Sequence, residues 1–208
     1  MRAEILTKNT QGRIFKNNFL ESLTKSSPII TNIFYSSLAI IFLVGNYLCG
    51  NLKIQSTLFV YSFGIVFWSL FEYLMHRYLF HLKSKRKWLK RLSFMLHGIH
   101  HQNPRDKERF FMPPIPGAII IAILFMFSYA FIGKYSFSFI SGLITGYILY
   151  TQIHFGIHNK QLPKYMEKIA SHHLQHHYSH YNKAYGVSSP IWDIIFQTMP
   201  PKNESSQK

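Results

Sequence analysis

The sequence predicts an all-α integral membrane protein, in which four transmembrane helices form two hairpins capped by a cytosolic, histidine-rich helical domain. Three observations support this prediction. Of the 208 residues, 48% are hydrophobic and only 15% are charged, whereas an average soluble domain is about 25% charged. Apolar runs of membrane-spanning length alternate with strongly basic segments, and the 12 histidines cluster in those segments or at the adjoining ends of the runs.

Four apolar runs carry the transmembrane prediction. They extend from Ile29 to Cys49, from Thr57 to Phe80, from Ile115 to Ile132 and from Phe137 to about Phe155. A run of about 20 residues is long enough to cross the hydrocarbon layer at 1.5 Å per residue. The links within each pair of runs are too short to hold a domain, so each pair is predicted to form a helical hairpin.

The distribution of basic residues predicts the orientation. Lys53 and Lys134 lie in the two short links, and the other 21 of the 23 Lys and Arg residues lie in the remaining polar segments. Positively charged segments stay preferentially on the cytosolic side. We therefore expect both termini and every histidine to lie on that side.

The remaining composition limits the classes of function. A net charge of +15 suits either nucleic acid or a membrane surface, and the apolar runs decide for the membrane, with no nucleic-acid partner expected. Cys49 is the only cysteine, which excludes an internal disulfide and a cysteine-based metal site.

The chain is expected to contain one domain between two short terminal segments. Residues 1–27 form a basic leader without the apolar core of a secretory signal, and both an interfacial helix and a disordered segment remain open for it. Residues 28–200 are predicted to form the membrane domain, and residues 201–208 a disordered tail.

Ten histidines fall into four spaced motifs. His76 and His81 form H-x4-H, His154 and His158 form H-x3-H, and two H-x2-HH motifs comprise His97, His100 and His101, and His173, His176 and His177. In each H-x2-HH motif one helical turn is expected to present three imidazoles together. Ten imidazoles are too many for one ion and suit two ions with positions left for water, oxygen or substrate.

The stretch from His172 to His180 is the densest part of this pattern. If it is helical, His173, His176, His177 and His180 lie in one stripe. A purification tag, a pH-sensing patch or a metal-buffering tract would not be accompanied by matching motifs elsewhere in the chain, so these alternatives are disfavoured.

Two other residues are candidates for orienting the histidines. Glu72 is an ionisable residue within a span and lies one turn before His76, whose second ring N–H it could accept; the alternative is a snorkelling or interfacial carboxylate. Tyr150 lies one turn before His154 and could play the same part, but a buried or interfacial tyrosine is favoured. A structural role is expected for Asp193, and the basic segment from Lys83 to Arg91 suits either anionic head groups or water.

These motifs resemble the fatty acid hydroxylase/sterol desaturase superfamily of membrane di-metal oxygenases, and within it the fatty acid 2-hydroxylases. The resemblance is carried by HRYLFH (76–81), HGIHHQNP (97–104), PPIP (113–116), GYILYTQIH (146–154) with His158, HHLQHHYSH (172–180) and GVSSPIWDIIFQT (186–198). It covers about residues 60 to 200 and depends on the order and spacing of the motifs.

The resemblance implies an O2-dependent di-iron enzyme that hydroxylates a lipid acyl chain at C2. It implies that the ten histidines are the metal ligands and that His172 and His180 are not. Iron is expected for activity, and zinc could replace it in a purified sample. Eukaryotic members commonly carry an N-terminal cytochrome-b5-like domain, for which 27 residues leave no room. A separate electron donor, either cytochrome-b5-like or a ferredoxin with its reductase, is therefore expected.

Two alternatives remain at this point. A carotenoid or sterol C–H hydroxylase or desaturase could use the same scaffold. A metal transporter is a more remote alternative, because transport favours ligands near the middle of the membrane.

Overall fold

The computed structural model describes residues 13–50 and 52–201, and every element within them is helical. The α-helices are α1 (Asn18–Ser22), α2 (Pro28–Gly45), α3 (Ile54–Leu74), α4 (Lys87–Ser93), α5 (Ile99–Gln102), α6 (Pro114–Ile132), α7 (Ser136–Asn159), α8 (Glu167–Tyr178) and α9 (Ile191–Ile195). π-helical segments at Asn46–Gly50, Met75–Phe80 and Phe94–Gly98 continue α2, α3 and α4. Single 3-10 turns lie at Lys107–Arg109, Gly133–Tyr135 and Lys164–Met166.

The ends of the long helices follow from local sequence. Proline occupies the first turn of α2 and of α6, where a missing backbone N–H costs nothing and the fixed φ suits a helix. Gly133 ends α6 with a φ of +53°, a conformation that glycine adopts without steric cost. The predicted fourth run ends near residue 155, but α7 continues to Asn159 and so includes His158.

Helix α7 forms the centre of the bundle and packs on α2 and α3. The buried cluster comprises Tyr35 and Ala39 from α2 with Ile140, Leu143 and Ile144 from α7. Two glycines show how closely helices α3 and α7 cross. A Cβ atom on Gly64 would strike the Phe139 carbonyl, and one on Gly142 would strike the Tyr61 carbonyl. Small residues at a crossing allow this approach in membrane bundles.

The outside of the bundle is apolar. Within the described residues, three helical stretches are long and apolar enough to cross a membrane, namely Pro28–Gly50, Ile54–Phe80 and Lys107–Asn159. The last stretch has 53 residues and contains both α6 and α7. Two hairpins with four spans are compatible with this result, although the exact topology stays a prediction.

The described part of the basic leader, residues 13–27, packs against the segment that precedes α6. The Glu21 carboxylate pairs with the Arg109 guanidinium, and Lys25 Nζ lies 3.0 Å from Glu108 Oε2. The backbone N–H of Ser26 donates to the Glu108 carbonyl at 2.9 Å. Neither open alternative for the leader anticipates these contacts. Residues 1–12 and 202–208 lie outside the described part of the chain.

Candidate metal centre

The ten spaced histidines come together as two groups of five, each large enough to hold an ion. Group A comprises His76, His81, His97, His101 and His176, and group B comprises His100, His154, His158, His173 and His177. In each group, one ring nitrogen from every histidine lies within 4.8 Å of the others. The two remaining histidines of the described chain, His172 and His180, belong to neither group.

In group A the Nε2 atoms converge. His76 Nε2 lies 3.0 Å from His97 Nε2 and 3.3 Å from His81 Nε2. His176 Nε2 lies 2.9 Å from His81 Nε2 and 3.2 Å from His101 Nε2. Lone pairs that face one another at these distances repel, unless a proton or a cation lies between them.

The π-helical ending of α3 brings the H-x4-H pair together. Residues five apart lie about 140° from each other around an α-helix, so His76 and His81 would point in different directions. In the π-helical segment Met75–Phe80 the backbone N–H of His81 donates to the His76 carbonyl at 3.2 Å. This i to i+5 bond brings the two residues toward the same side of the helix. π segments of this kind are frequent at functional sites.

Each H-x2-HH motif divides its histidines between the groups. The first and third histidines are four residues apart and go to one group, while the second goes to the other. His97 and His101 therefore join group A while His100 joins group B, and in the α8 motif His173 and His177 join group B while His176 joins group A. One turn does bring three imidazoles together, but they face two sites, since adjacent histidines point about 100° apart around the helix.

Backbone carbonyls orient two histidines of group A. His76 Nδ1 donates to the Tyr185 carbonyl at 2.5 Å, and His176 Nδ1 donates to the Lys183 carbonyl at 2.7 Å. A carbonyl only accepts, so Nδ1 carries the proton in both rings and Nε2 keeps its lone pair toward the group centre. The loop formed by residues 183–188 is therefore an outer support of group A.

Two buried carboxylates hold that loop. Glu72 accepts from the backbone N–H of Val187 at 2.6 Å and of Ser188 at 3.1 Å, and from Ser188 Oγ at 2.5 Å. Asp193 accepts from the backbone N–H groups of Tyr185 and Gly186 at 2.9 and 2.7 Å. The prediction that Glu72 accepts the second N–H of His76 is wrong, because the Tyr185 carbonyl takes that bond and Glu72 acts one step further out, through the loop.

Tyr150 packs against His154, as expected for a packed tyrosine and not for a hydrogen-bond acceptor. Its ring stacks on His154, with centroids 5.5 Å apart and planes inclined by 26°. Neither ring nitrogen of His154 has a hydrogen-bond partner among the described residues. Tyr150 therefore contacts the ligand ring by its face and does not accept its N–H.

The sequence did not predict that His172 and Thr198 hold Asp193, which in turn holds the 183–188 loop. His172 is buried in α8 and its Nε2 donates to Asp193 Oδ2 at 3.0 Å, while Thr198 Oγ donates to Oδ1 at 2.7 Å. Burial raises the pKa of Asp193, but the hydrogen bonds from His172, Thr198 and the loop outweigh this and lower it below its usual value. The one feature of the sequence that could have indicated this role is the position of Asp193, an aspartate in an otherwise apolar stretch that follows the densest histidine motif.

The histidines of groups A and B that lie outside the apolar stretches are held neutral. Burial lowers the pKa of His81 to about 3, of His101 to about 2 and of His176 to about 4, and repulsion from the neighbouring His176 adds to the first two shifts. Burial also lowers the pKa of His97, His100 and His173 well below the usual value. Neutral imidazole is the form that binds a metal ion.

The donor set fits two bound ions. His100, His154 and His177 bury both ring nitrogens without a hydrogen-bond partner in the described chain. Leaving a buried polar atom unsatisfied costs about 1–3 kcal/mol, and a coordinated ion would satisfy one nitrogen of each ring. Imidazole donors suit iron, zinc and copper.

A cavity of about 260 Å³ connects this centre to the middle of the helix bundle. Four of its lining residues are histidines, His76 and His97 from group A and His100 and His154 from group B. Most of the others are apolar, and they include Leu143 in the central part of α7. Leu143 and His154 are separated along α7 by about 16 Å at 1.5 Å per residue, so the cavity extends from the metal groups into the apolar layer.

The chain is similar to known fatty acid hydroxylases over most of its length. The profile of the fatty acid hydroxylase family matches residues 61–198. The chain is 34% identical to a ceramide very long chain fatty acid hydroxylase of Saccharomyces cerevisiae, with 87% of this chain and 48% of the relative covered. It is 31% identical to a dihydroceramide fatty acyl 2-hydroxylase of Arabidopsis thaliana, covering 72% and 64%, and 32% identical to a fatty acid 2-hydroxylase of Rattus norvegicus, covering 73% and 43%.

A solved structure shows the same architecture. Full-length scs7p, of which only the hydroxylase domain is visible, superposes with a TM-score of 0.80 at 32% identity and covers 88% of this chain and 70% of that chain. The chain spans between 43% and 64% of the length of the three relatives named above.

Proposed function

The chain belongs to the fatty acid hydroxylase family, and from that premise we propose that it hydroxylates a lipid acyl chain at C2 in the membrane. The reaction replaces one C–H bond by C–OH. It consumes one O2, two electrons and two protons, and it releases one water. The same reaction class is named for its relatives, the fatty acyl and fatty acid 2-hydroxylases.

The cavity is the observation that carries this proposal. It places an apolar channel, walled by residues such as Phe71, Ile120 and Leu124, directly beside histidines of both groups. An acyl chain lying in the channel would keep its apolar contacts while one carbon reaches the metal groups. Four of the histidines, His76, His81, His154 and His158, lie at the polar ends of α3 and α7, which favours a carbon close to the head group, such as C2.

The ten histidines of groups A and B are proposed as the ligands of two ions, with iron as the active metal and zinc able to occupy the same donors. When bound, the ions would supply the redox chemistry that activates O2. The chain's own contribution is to keep the imidazoles neutral and oriented, through burial and through the carbonyls of Lys183 and Tyr185. The apolar walls of the cavity exclude water from the reacting carbon.

The two electrons are proposed to come from a separate protein. Cytochrome-b5-like proteins and ferredoxins with their reductases are the donor classes that suit this reaction. We further propose four spans in two hairpins, with both termini and the histidines on the cytosolic side, on the basis of the uneven distribution of Lys and Arg.

Lipid analysis tests the function directly. A host that lacks 2-hydroxylated lipids is made to express the native chain, a His176→Ala variant or a His180→Ala variant, and its acyl chains are analysed by mass spectrometry. His176 is a member of group A, whereas His180 lies outside both groups and is the matched control. We expect 2-hydroxy acyl chains with the native chain and His180→Ala, and none with His176→Ala.

Two results would contradict the proposal. Equal hydroxylation with His176→Ala at matched expression would reject the site. A hydroxyl group found by fragmentation at another carbon would reject the C2 assignment while leaving a hydroxylase.

A further inference from the structure

We propose that the exposed apolar face of α9, continued by Phe196 and Met199, is a membrane-contacting surface whose partner is the acyl region of the leaflet that receives the histidine-bearing end of α3. This inference rests on the proposed membrane placement of α3. It adds a lipid contact outside the predicted spans, on the segment that supports group A.

The face is apolar and open. Ile191, Ile194 and Ile195 lie at spacings i, i+3 and i+4 on one side of α9, and between 49% and 61% of each residue's surface is exposed. Phe196 and Met199 continue the face and are 41% exposed each. Exposed apolar side chains gathered in this way mark a contact with a protein or a membrane.

The face is continuous with the outer surface of α3. Trp192 Nε1 donates to Ser69 Oγ on α3 at 3.0 Å. The Phe196 ring stacks on Tyr73, one helical turn further along α3, with centroids 5.2 Å apart and planes inclined by 12°. Val66 and Leu74 on α3 are exposed near these contacts. The medium that surrounds the outer side of α3 would therefore also surround the outer side of α9.

The polar groups beside this surface suit the membrane boundary. Arg77 Nη1 donates to the Tyr73 hydroxyl at 2.8 Å, and its guanidinium lies 5.1 Å from the centre of the exposed Tyr78 ring. Tryptophan and tyrosine are enriched at membrane interfaces, and basic groups there contact anionic head groups. A lipid occupant therefore accounts for both the apolar face and its basic, aromatic border.

The contact would reach the metal centre through a short path. Asp193 lies on the buried side of α9 and holds the backbone of Tyr185, whose carbonyl accepts from His76 Nδ1. Immersing the outer face of α9 in lipid would fix the position of this carboxylate. We therefore expect the retention of metal by group A to depend on the outer face of α9 as well as on the ligands.

Spin labels in vesicles test the lipid contact. Single-cysteine variants Ile194→Cys, Val66→Cys and Ser171→Cys are made in a Cys49→Ser background, labelled with a nitroxide and reconstituted in phosphatidylcholine vesicles containing anionic phosphatidylglycerol. Collision with O2, which partitions into lipid, is compared with collision with a water-soluble nickel chelate. Val66 is the control for lipid on α3, and Ser171 is an exposed polar position on α8.

We expect the label at Ile194 to favour O2, as at Val66, and the label at Ser171 to favour the nickel chelate. Nickel access at Ile194 with oxygen access at Val66 would overturn this inference alone. Nickel access at both positions would instead reject the membrane placement on which it rests. Spin–spin broadening at Ile194 that disappears on dilution with unlabelled chain would assign the face to a second copy, which also overturns the inference.

Metal content tests the consequence. An Ile194→Asn, Ile195→Asn double variant replaces two exposed apolar side chains by smaller polar ones that oppose burial in lipid, and Ser171→Asn serves as the matched polar substitution. In the same vesicles we expect the double variant to lose metal to a chelator faster than the native chain and Ser171→Asn do. Equal rates would reject the link between the lipid contact and the metal centre.

Discussion

Single residues outside groups A and B set the directions of the histidine rings. The Tyr185 and Lys183 carbonyls fix the tautomers of His76 and His176, and Asp193 fixes the loop that carries these carbonyls. The sequence identified the histidines because their spacing is regular. It could not identify the carbonyls, because every residue has one and only the fold decides which carbonyl meets a ring.

Asp193→Asn is expected to destabilise the chain and reduce its metal content. Asp193 accepts from four donors, including the His172 ring and the Gly186 backbone N–H. An amide has one oxygen acceptor, so its NH2 group would face donors, at a cost of about 1–3 kcal/mol for each buried donor left unpaired. Thermal unfolding in detergent micelles and metal content per chain measure the effect.

The control for this prediction is His172→Gln, whose side-chain amide can still donate to Asp193. We expect a smaller fall in unfolding temperature and nearly full metal content. An Asp193→Asn variant that retains two ions and the native unfolding temperature would show that Asp193 does not support the centre.

Two local departures from regular α-helices decide how the elements build the two groups. The π-helical end of α3 brings His76 next to His81, and the π segment Phe94–Gly98 contains His97, the first histidine of a motif whose members lie in both groups. The spacing H-x4-H alone does not distinguish a π-helical segment from an α-helix. Helix α8 ends at Tyr178, so His180 does not complete the predicted stripe of four histidines.

Gly142→Ala tests the close crossing of α3 and α7. In an isolated helix the substitution would stabilise by about 1 kcal/mol. Here the added methyl group would strike the Tyr61 carbonyl, which cannot move without its helix, and overpacking costs about 1–3 kcal/mol. We expect a net fall in thermal unfolding temperature in micelles.

Ser62→Ala, on the exposed side of α3, is the matched small substitution and is expected to leave the unfolding temperature nearly unchanged. A Gly142→Ala variant as stable as the native chain would mean that the two helices can separate without loss.

At the scale of the whole molecule, charge and hydropathy divide the chain between the membrane and one of its faces. The basic segments, the described part of the leader and all ten histidines of groups A and B are predicted to lie together on the cytosolic side. The contact between the leader and the segment before α6, through Glu21 and Arg109, joins two basic segments that the orientation rule already assigns to one side.

Cysteine accessibility tests this orientation. Lys134→Cys in the turn between α6 and α7 and Ser171→Cys on α8 are each made in a Cys49→Ser background, and both positions are exposed. In intact cells we expect a membrane-impermeant maleimide to label residue 134 and to label residue 171 only after permeabilisation. The reverse pattern would invert the proposed topology, and labelling of both without permeabilisation would reject it.

The sequence by itself determined the apolar helical segments, the four histidine motifs and the resemblance to the fatty acid hydroxylase family, because hydropathy and spacing are local properties of the chain. Only the tertiary structure decided the division of the ten histidines into two groups of five and the role of the 183–188 loop. It also placed Glu72 against that loop and not against His76. These features depend on which side chains and carbonyls meet across more than 100 residues of chain, and contacts at that separation are set by packing and not by local pattern.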